Sequence, residues 1–282
     1  MKVFKLREQV KSEVKKLKAK GMGIGLVPTM GALHHGHGSI VKSALLENDV
    51  VFVSIFVNPT QFDNKNDLKN YPRTLEEDLN FLKLISPDLY IYAPPAEDIY
   101  AGKVRSNTFS FNGLDTEMEG KYRKGHFNGV GTVVKLLLEL IQPDRAYFGE
   151  KDFQQLSIIK HIVQSEGIPV EIIGHPIFRE DDGLAMSSRN RLLNQKERSE
   201  ANLLYTTLQK TKEKFGTDNA SDIASWVKQQ FADSEILKLE YFVIADAETL
   251  KPVQTYNTET QYRAFIAAYA GNVRLIDNIA LN

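Results

Sequence analysis

The run Val50-Val51-Phe52-Val53-Ser54-Ile55-Phe56 constrains the fold more than any other segment. It is apolar except at Ser54 and rich in β-branched residues, as a central parallel strand is when both of its faces are covered. The greasy stretch ends near Val57, far short of the ~20 apolar residues a membrane-spanning helix needs, so no membrane role is expected.

Strand and helix signals alternate around this run. Gly23 to Val27 reads as a short buried strand, followed by a loop with Pro28 and Gly31 and a helix from about His37 to Glu47. Thr74 is a candidate cap for a helix starting Leu75-Glu76-Glu77, and the polar stretch from Asp63 to Asn70 before it reads as a loop, a possible gate. Leu89 to Tyr92 is a strand stopped by Pro94 and Pro95. Ala146 to Phe148 and Val170 to Ile173 are strands on either side of a helix from about Phe153 to Ser165. Val10, Val14 and Leu17 share one face of a helix over residues 6 to 19. Val130 to Ile141 is apolar nearly all round, which predicts a helix that is buried or lies at a subunit contact. The whole predicts a Rossmann-like α/β fold, a parallel sheet flanked by helices with right-handed crossovers. After about residue 180 the order changes. Helices over 195 to 215 and 221 to 231 precede three strand-like runs, Leu239 to Ala245, Arg263 to Tyr269 and Val273 to Ile279. The expected division is a domain over 1–177 and a smaller α+β lid domain over 178–282.

Composition narrows the function. The 35 basic and 36 acidic residues balance, so no broad basic face for nucleic acid is expected. Glu8 and Glu13 break the lysine run of the first helix, which therefore reads as a solvated face. Cysteine is absent, which excludes disulfides and thiol chemistry and fits a cytoplasmic setting. The charged start Met-Lys-Val-Phe-Lys-Leu-Arg-Glu carries no secretory leader pattern.

The sharpest motif is Pro28-Thr29-Met30-Gly31-Ala32-Leu33-His34-His35-Gly36-His37, between a strand and a helix. Ligands of parallel sheets bind at the carboxyl ends of strands, and a helix N-terminus there suits a phosphate. Gly31 and Gly36 let a ligand approach the backbone, and His34 and His37 can donate to phosphate oxygens as charge builds. The His-x-Gly-His spacing resembles an element of class I aminoacyl-tRNA synthetases and related nucleotidyltransferases. A competing reading takes His35 and His37 as a metal-binding pair, which requires further ligands from other strands. Asn58 and Gln61, just past the buried strand, are amides able to hold a hydroxyl or carboxylate, or else ordinary turn residues. Asp78 reads as an exposed helix residue or an outer contact to a metal ion. Gly149-Glu150-Lys151-Asp152 follows another strand. Lys151 can neutralise a phosphate there, and Asp152 can accept from ribose or cap the next helix. Gly183-Leu184-Ala185-Met186-Ser187-Ser188-Arg189-Asn190 resembles the Lys-Met-Ser-Lys-Ser loop of class I synthetases and suits a triphosphate tail.

Taken together these segments resemble the pantothenate synthetase family. Pro-Thr-Met-Gly-Ala-Leu-His-x-Gly-His, Ser-Ile-Phe-Val-Asn-Pro-x-Gln-Phe, Tyr-Pro-Arg-Thr, Gly-His-Phe-x-Gly-Val, Phe-Gly-Glu-Lys-Asp-Phe-Gln-Gln and Leu-Ala-Met-Ser-Ser-Arg-Asn occur in order from Pro28 to Asn190. The resemblance implies an ATP-dependent ligase that condenses pantoate with β-alanine through a pantoyl adenylate. It implies that His34, His37, Lys151, Ser187, Ser188 and Arg189 carry the phosphate chemistry. Met30, Gly36, Gly149, Asp152, Phe178 and Met186 would complete the ATP contacts. Met30, Gln61 and Gln155 would hold pantoate, with Arg123 and His126 in support. Mg2+ is expected with ATP, and a homodimer is the expected assembly. Two departures from the family pattern are Lys124, where proline is usual, and Gly38, where a larger apolar residue is usual.

Overall fold

The buried run lies at the centre of a six-stranded parallel sheet. The computed structural model describes residues 1–282, apart from the side chain of Lys65. In chain order the elements are β1 (Lys2–Phe4), α1 (Arg7–Ala19), β2 (Ile24–Thr29), α2 (His35–Glu47) and β3 (Val50–Ile55). A 3-10 turn (Pro59–Gln61), α3 (Lys65–Asn70), α4 (Leu75–Ile85), β4 (Tyr90–Tyr92), α5 (Ala96–Ile99) and α6 (Met118–Tyr122) follow. Then come α7 (His126–Ile141), β5 (Arg145–Gly149), α8 (Phe153–Ser165) and β6 (Glu171–His175). The strand order is β1-β4-β3-β2-β5-β6 and every pairing is parallel. The remainder comprises α9 (Gln195–Glu200), α10 (Leu203–Lys214), α11 (Ala220–Ala232) and an antiparallel sheet β7 (Leu237–Asp246), β8 (Tyr262–Ala270), β9 (Val273–Ala280). The chain forms two compact units: Met1–Asp115 with Glu119–Glu150 and Gln155–Pro176, and Ile177–Asn282 with Thr116–Met118 and Lys151–Gln154.

Burial on both faces explains the unbroken apolar strand. Leu26 and Phe52 belong to a core with Val10, Val14 and Leu17 of α1 and much of α7. Their neighbours Val27, Val51 and Val53 belong to a second core with Val41 of α2 and Leu82 of α4. Successive strand residues point to opposite faces, so a strand with helices on both sides must be apolar throughout. In the second unit, Ala264, Ile266 and Ala268 of β8 bury against Leu204 and Leu208 of α10 and Ile223 and Val227 of α11.

Several local expectations are corrected. The edge strand β1 has no counterpart among the expected elements, and residues 65–70 are helical rather than loop. The helix over 195 to 215 is two helices separated at Ala201 and Asn202. Helix α7 starts at His126, and its apolar surface, including Val130, Val134 and Leu138, is spent on the core of the first unit. Thr74 is the first residue before α4 but makes no side-chain cap there; its hydroxyl donates to Asp78 Oδ1 at 3.4 Å.

Gly129 sits where α7 crosses the 3-10 turn. A Cβ there would lie 2.3 Å from the Thr60 carbonyl oxygen and 2.6 Å from the Gln61 nitrogen. Replacing a helical glycine by alanine ordinarily gains up to about 1 kcal/mol. Gly129→Ala is expected instead to lose about 1–3 kcal/mol, because backbone must move to admit the methyl group. Urea unfolding of the two proteins checks this, and a gain in stability would contradict the packing.

Candidate active site

The sheet reverses direction of growth at β2. Strands β3 and β4 extend it one way and β5 and β6 the other, so the carboxyl ends of β2 and β5 flank a topological switch point, where open parallel sheets bind ligands. Past the end of β2 the chain turns through Gly31 at φ +83° and Ala32 at φ +50°. The second value is uncommon for a residue with a Cβ and needs support. Asp78 supplies it: Ala32 N–H donates to Oδ2 at 3.0 Å and Leu33 N–H to Oδ1 at 2.7 Å. A Cβ on Gly31 would lie 3.0 Å from the same carboxylate. Asp78, expected to be exposed or to touch a metal ion, is 2% exposed, and its oxygens face loop amides. Burial pushes its carboxyl above the ordinary range, against the pull of the two backbone donors.

This turn delivers His34 as the residue before α2, with extended φ and ψ and its carbonyl accepting Gly38 N–H at 3.0 Å. The rings of His34 and His37 lie 4.0 Å apart, both half-buried. They stand at the positive end of the α2 dipole. Gly38 has a packing reason: a Cβ there would lie 3.0 Å from Phe81 and 3.2 Å from Ile85 of α4. His35 is exposed, and its ring lies 5.8 Å from that of Phe81 in an edge-on arrangement. Among the described residues no group of three or more His, Cys, Asp or Glu side chains is arranged to hold a metal ion.

The amides beyond β3 separate into two roles. Asn58 is 1% exposed and spends its whole side chain internally. Its Nδ2 donates to Gln61 Oε1 at 3.0 Å and to the Gly129 carbonyl at 3.1 Å. Its Oδ1 accepts from the Tyr100 hydroxyl at 2.6 Å and from Thr60 Oγ1 at 3.0 Å. Gln61, held in this way, donates from Nε2 to the sulfur of Met30 at 2.9 Å. Two residues that the resemblance assigns to pantoate are thus in contact. His126 bonds through Nδ1 to the Gln61 carbonyl oxygen at 2.8 Å, and Arg123 Nη1 stands 3.2 Å from His126 Nε2 and 3.6 Å from the Glu119 carboxylate. Tyr100 and Glu119 escaped sequence reasoning because nothing in their local pattern marks them, and Gly129 stands in the Gly-His-Phe-x-Gly-Val motif without a role of its own there.

Gln155 is the third residue of α8, half-buried, and Gly149 ends β5 against Ile40 of α2. His175, at the end of β6, meets Ser43 through Nδ1 at 3.3 Å and Ser39 through Nε2 at 3.1 Å. Burial holds its imidazole below the usual pKa.

In the second unit, Met186 N–H donates to the Phe178 carbonyl at 3.0 Å, and Arg179 forms a bridge with Ala185. Ser187 precedes a 3-10 turn and accepts Arg189 N–H at 3.3 Å, while Ser188 is buried. Asn190 Nδ2 donates to Glu180 Oε1 at 2.6 Å and to the Ala185 carbonyl at 3.2 Å. Lys151 lies in a 3-10 turn before α8, half-buried, followed by exposed Asp152. The sequence motif around Met186 is therefore a pinned loop with two hydroxyls and a guanidinium.

Comparison with known proteins agrees with this geometry. The family model described as Pantoate-beta-alanine ligase matches residues 2–280. A protein of Christiangramia forsetii named pantothenate synthetase is 54% identical, with 100% of each chain covered. The crystal structure of pantothenate synthetase from Thermus thermophilus superposes with a TM-score of 0.92 at 36% identity, covering 100% of this chain and 99% of that one. A pantoate-beta-alanine ligase from Francisella tularensis, solved in complex with beta-gamma ATP and beta-alanine, gives a TM-score of 0.82 at 38% identity, covering 100% and 98%.

The Asp78 geometry makes a prediction that needs no ligand. Asp78→Asn keeps the shape but offers only one acceptor to two donors. The more affected of the Ala32 and Leu33 amides is expected to exchange with solvent at least about tenfold faster, the equivalent of one lost hydrogen bond. The Leu26 amide in β2 serves as the unchanged control. Unaltered exchange at both loop amides would contradict the assigned support.

Proposed function

Because this chain belongs to the pantoate–β-alanine ligase family, we propose that it condenses pantoate with β-alanine at the expense of ATP, giving pantothenate, AMP and pyrophosphate through a pantoyl adenylate. The observation that carries the reading is the family match over residues 2–280, with every motif of the resemblance intact. The contact between Gln61 and Met30, with Met30 on the loop that leads to His34 and the start of α2, supports the reading.

In the first step the pantoate carboxylate attacks the α-phosphorus of ATP and pyrophosphate leaves. A carboxylate is already ionised at neutral pH, so no base is required. The obstacle is repulsion between two anions and their alignment, which positioning and fixed donors overcome. His34 and His37 donate to phosphate oxygens as negative charge builds on them. Lys151, Ser187, Ser188 and Arg189 of the second unit supply the cation and hydroxyl contacts to the phosphates. Gly36, Gly149, Asp152, Phe178 and Met186 contact the nucleoside. Gln61 and Gln155 bind the hydroxyls and carboxylate of pantoate, with Met30 against its methyl groups. A neutral amide suits this task, since it holds the carboxylate without a counter-charge that would blunt its attack. In the second step the neutral amine of β-alanine attacks the activated carbonyl, a C–N bond forms, the nitrogen gives up one proton, and AMP departs as the C–O bond breaks.

Mg2+ enters as a companion of ATP, held by phosphate oxygens and water; such an ion needs few protein carboxylates. Asp78 holds the histidine loop by accepting from Ala32 and Leu33. The assembly implied by the family resemblance is a homodimer in the cytoplasm, and sedimentation of the purified chain tests the dimer. Helix α7 does not argue for it, its apolar surface being internal.

Leaving out one component at a time tests the reading. AMP release is expected only with ATP, pantoate and β-alanine together, and AMP from a different acid would move the substrate. His34→Ala is expected to slow single-turnover formation of pantoyl adenylate by roughly 100-fold or more, the loss typical of a transition-state donor. A normal rate in that variant would remove His34 from the chemistry.

A further inference from the structure

Two adjacent residues of β9 are buried although polar: Asp277 at 3% exposure and Asn278 at 2%. Strands that carry polar pairs inward do so for a partner. Asp277 pairs across the sheet with Ile266, on the face covered by α10 and α11, and Asn278 with Phe265, on the opposite face. Each side chain reaches a different segment of the chain.

On the helix-covered face, Arg179 grips Asp277 with both ends of its guanidinium, Nη1 to Oδ2 at 2.6 Å and Nη2 to Oδ1 at 3.0 Å. The same guanidinium donates to the Gly183 carbonyl at 3.0 Å and to the Asn278 carbonyl at 3.3 Å, and lies 4.2 Å from the Tyr205 ring centre. Gly183 has φ +92°, and a Cβ there would stand 2.0 Å from the Tyr205 ring. The start of the Met186–Arg189 loop is thereby pressed against one spot. On the other face, Asn278 Nδ2 donates to the Lys151 carbonyl at 2.9 Å, and its Oδ1 accepts from Arg263. Arg263 lies 3.9 Å above the ring of Phe153, two residues after Lys151. Asn278 N–H closes the chain of contacts by donating to Asp277 Oδ1 at 2.7 Å.

We propose that Asp277 and Asn278 are positioning residues for nucleotide binding and adenylation: through Arg179 and the Lys151 carbonyl they hold the Ser187–Arg189 loop and the Lys151 segment in fixed register across one strand. This rests on the ligase reading above for what the two segments bind. Neither residue touches substrate. Asn278 donates to a main-chain carbonyl itself, Asp277 holds the Arg179 guanidinium that donates to another, and the loop and lysine inherit the placement. A bidentate guanidinium with further donors to spare is suited to such a node, because one planar group satisfies a carboxylate and two carbonyls together.

The test is Asn278→Asp in the full chain, which changes one donor atom to an acceptor and sets it against the Lys151 carbonyl. ATP affinity by calorimetry and the single-turnover adenylation rate at saturating substrates are measured for wild type, N278D, K151A and the double variant. The expected result is a loss of about tenfold or more in rate, affinity or both for N278D. In the K151A background the further loss is expected to be under about twofold, since coupled residues are non-additive. Equal losses in both backgrounds would overturn the proposal, as would wild-type behaviour of N278D. If N278D does not fold, Arg179→Lys keeps the charge at Asp277 while losing the forked contacts, and the same cycle is run with Ser187→Ala. Failure of the ligase reading shows separately, as a wild-type chain that binds ATP without adenylating pantoate; the affinity cycle then still decides the positioning claim.

Discussion

The first unit depends on one buried carboxylate. Asp78 accepts the Ala32 and Leu33 amides, and that pair of bonds holds an alanine at φ +50° between a central strand and a helix N-terminus. The consequences run outward from it. The turn sets the start of α2, which in turn brings the rings of His34 and His37 to 4.0 Å at the positive end of the helix. Burial of the charge is costly, as the upward push on its pKa shows, and two aligned backbone donors offset that cost. Local strain of this kind is held only where the surroundings over-determine it, which is the usual state of a functional loop.

The same device recurs with other chemistry. Asn58 is saturated by Gln61, Gly129, Tyr100 and Thr60, so the Gln61 amide is placed without a charge in that network. In the second unit, Asn278 directly, and Asp277 through Arg179, hold main-chain carbonyls of segments whose side chains carry the proposed phosphate contacts. In each case a buried polar partner fixes the segment that carries the proposed ligand contact. Preorganised donors cost no rearrangement at the moment of reaction, which is where their catalytic value lies.

Much of the fold is legible in the chain because strong signals agree. The apolar run at Val50, the strand at Ala146 and the helix over 153–165 are where periodicity and breakers place them. The short edge strand Lys2–Phe4 is not legible, since three residues carry no period and its burial is partial. Residues 65–70 look like loop because their polar composition masks a single short helix that starts after Asn64. The histidine loop, Lys151 and the Met186–Arg189 loop stand out as motifs. Their supports do not: Asp78 looks like one more acidic residue in a helix's first turns, and its burial depends on a loop 45 residues away in sequence. Asp277 and Asn278 do leave a trace, as an adjacent polar pair between Ile276 and Ile279.

In the proposed chemistry a pantoate oxygen displaces pyrophosphate at the α-phosphorus. Pantoate labelled with heavy oxygen in its carboxylate tests it most directly, with the products of a full turnover read by mass spectrometry. One labelled oxygen is expected in the phosphate of AMP. Unlabelled AMP, or label appearing in inorganic phosphate, would contradict attack at the α-phosphorus and with it the role assigned to the histidine loop.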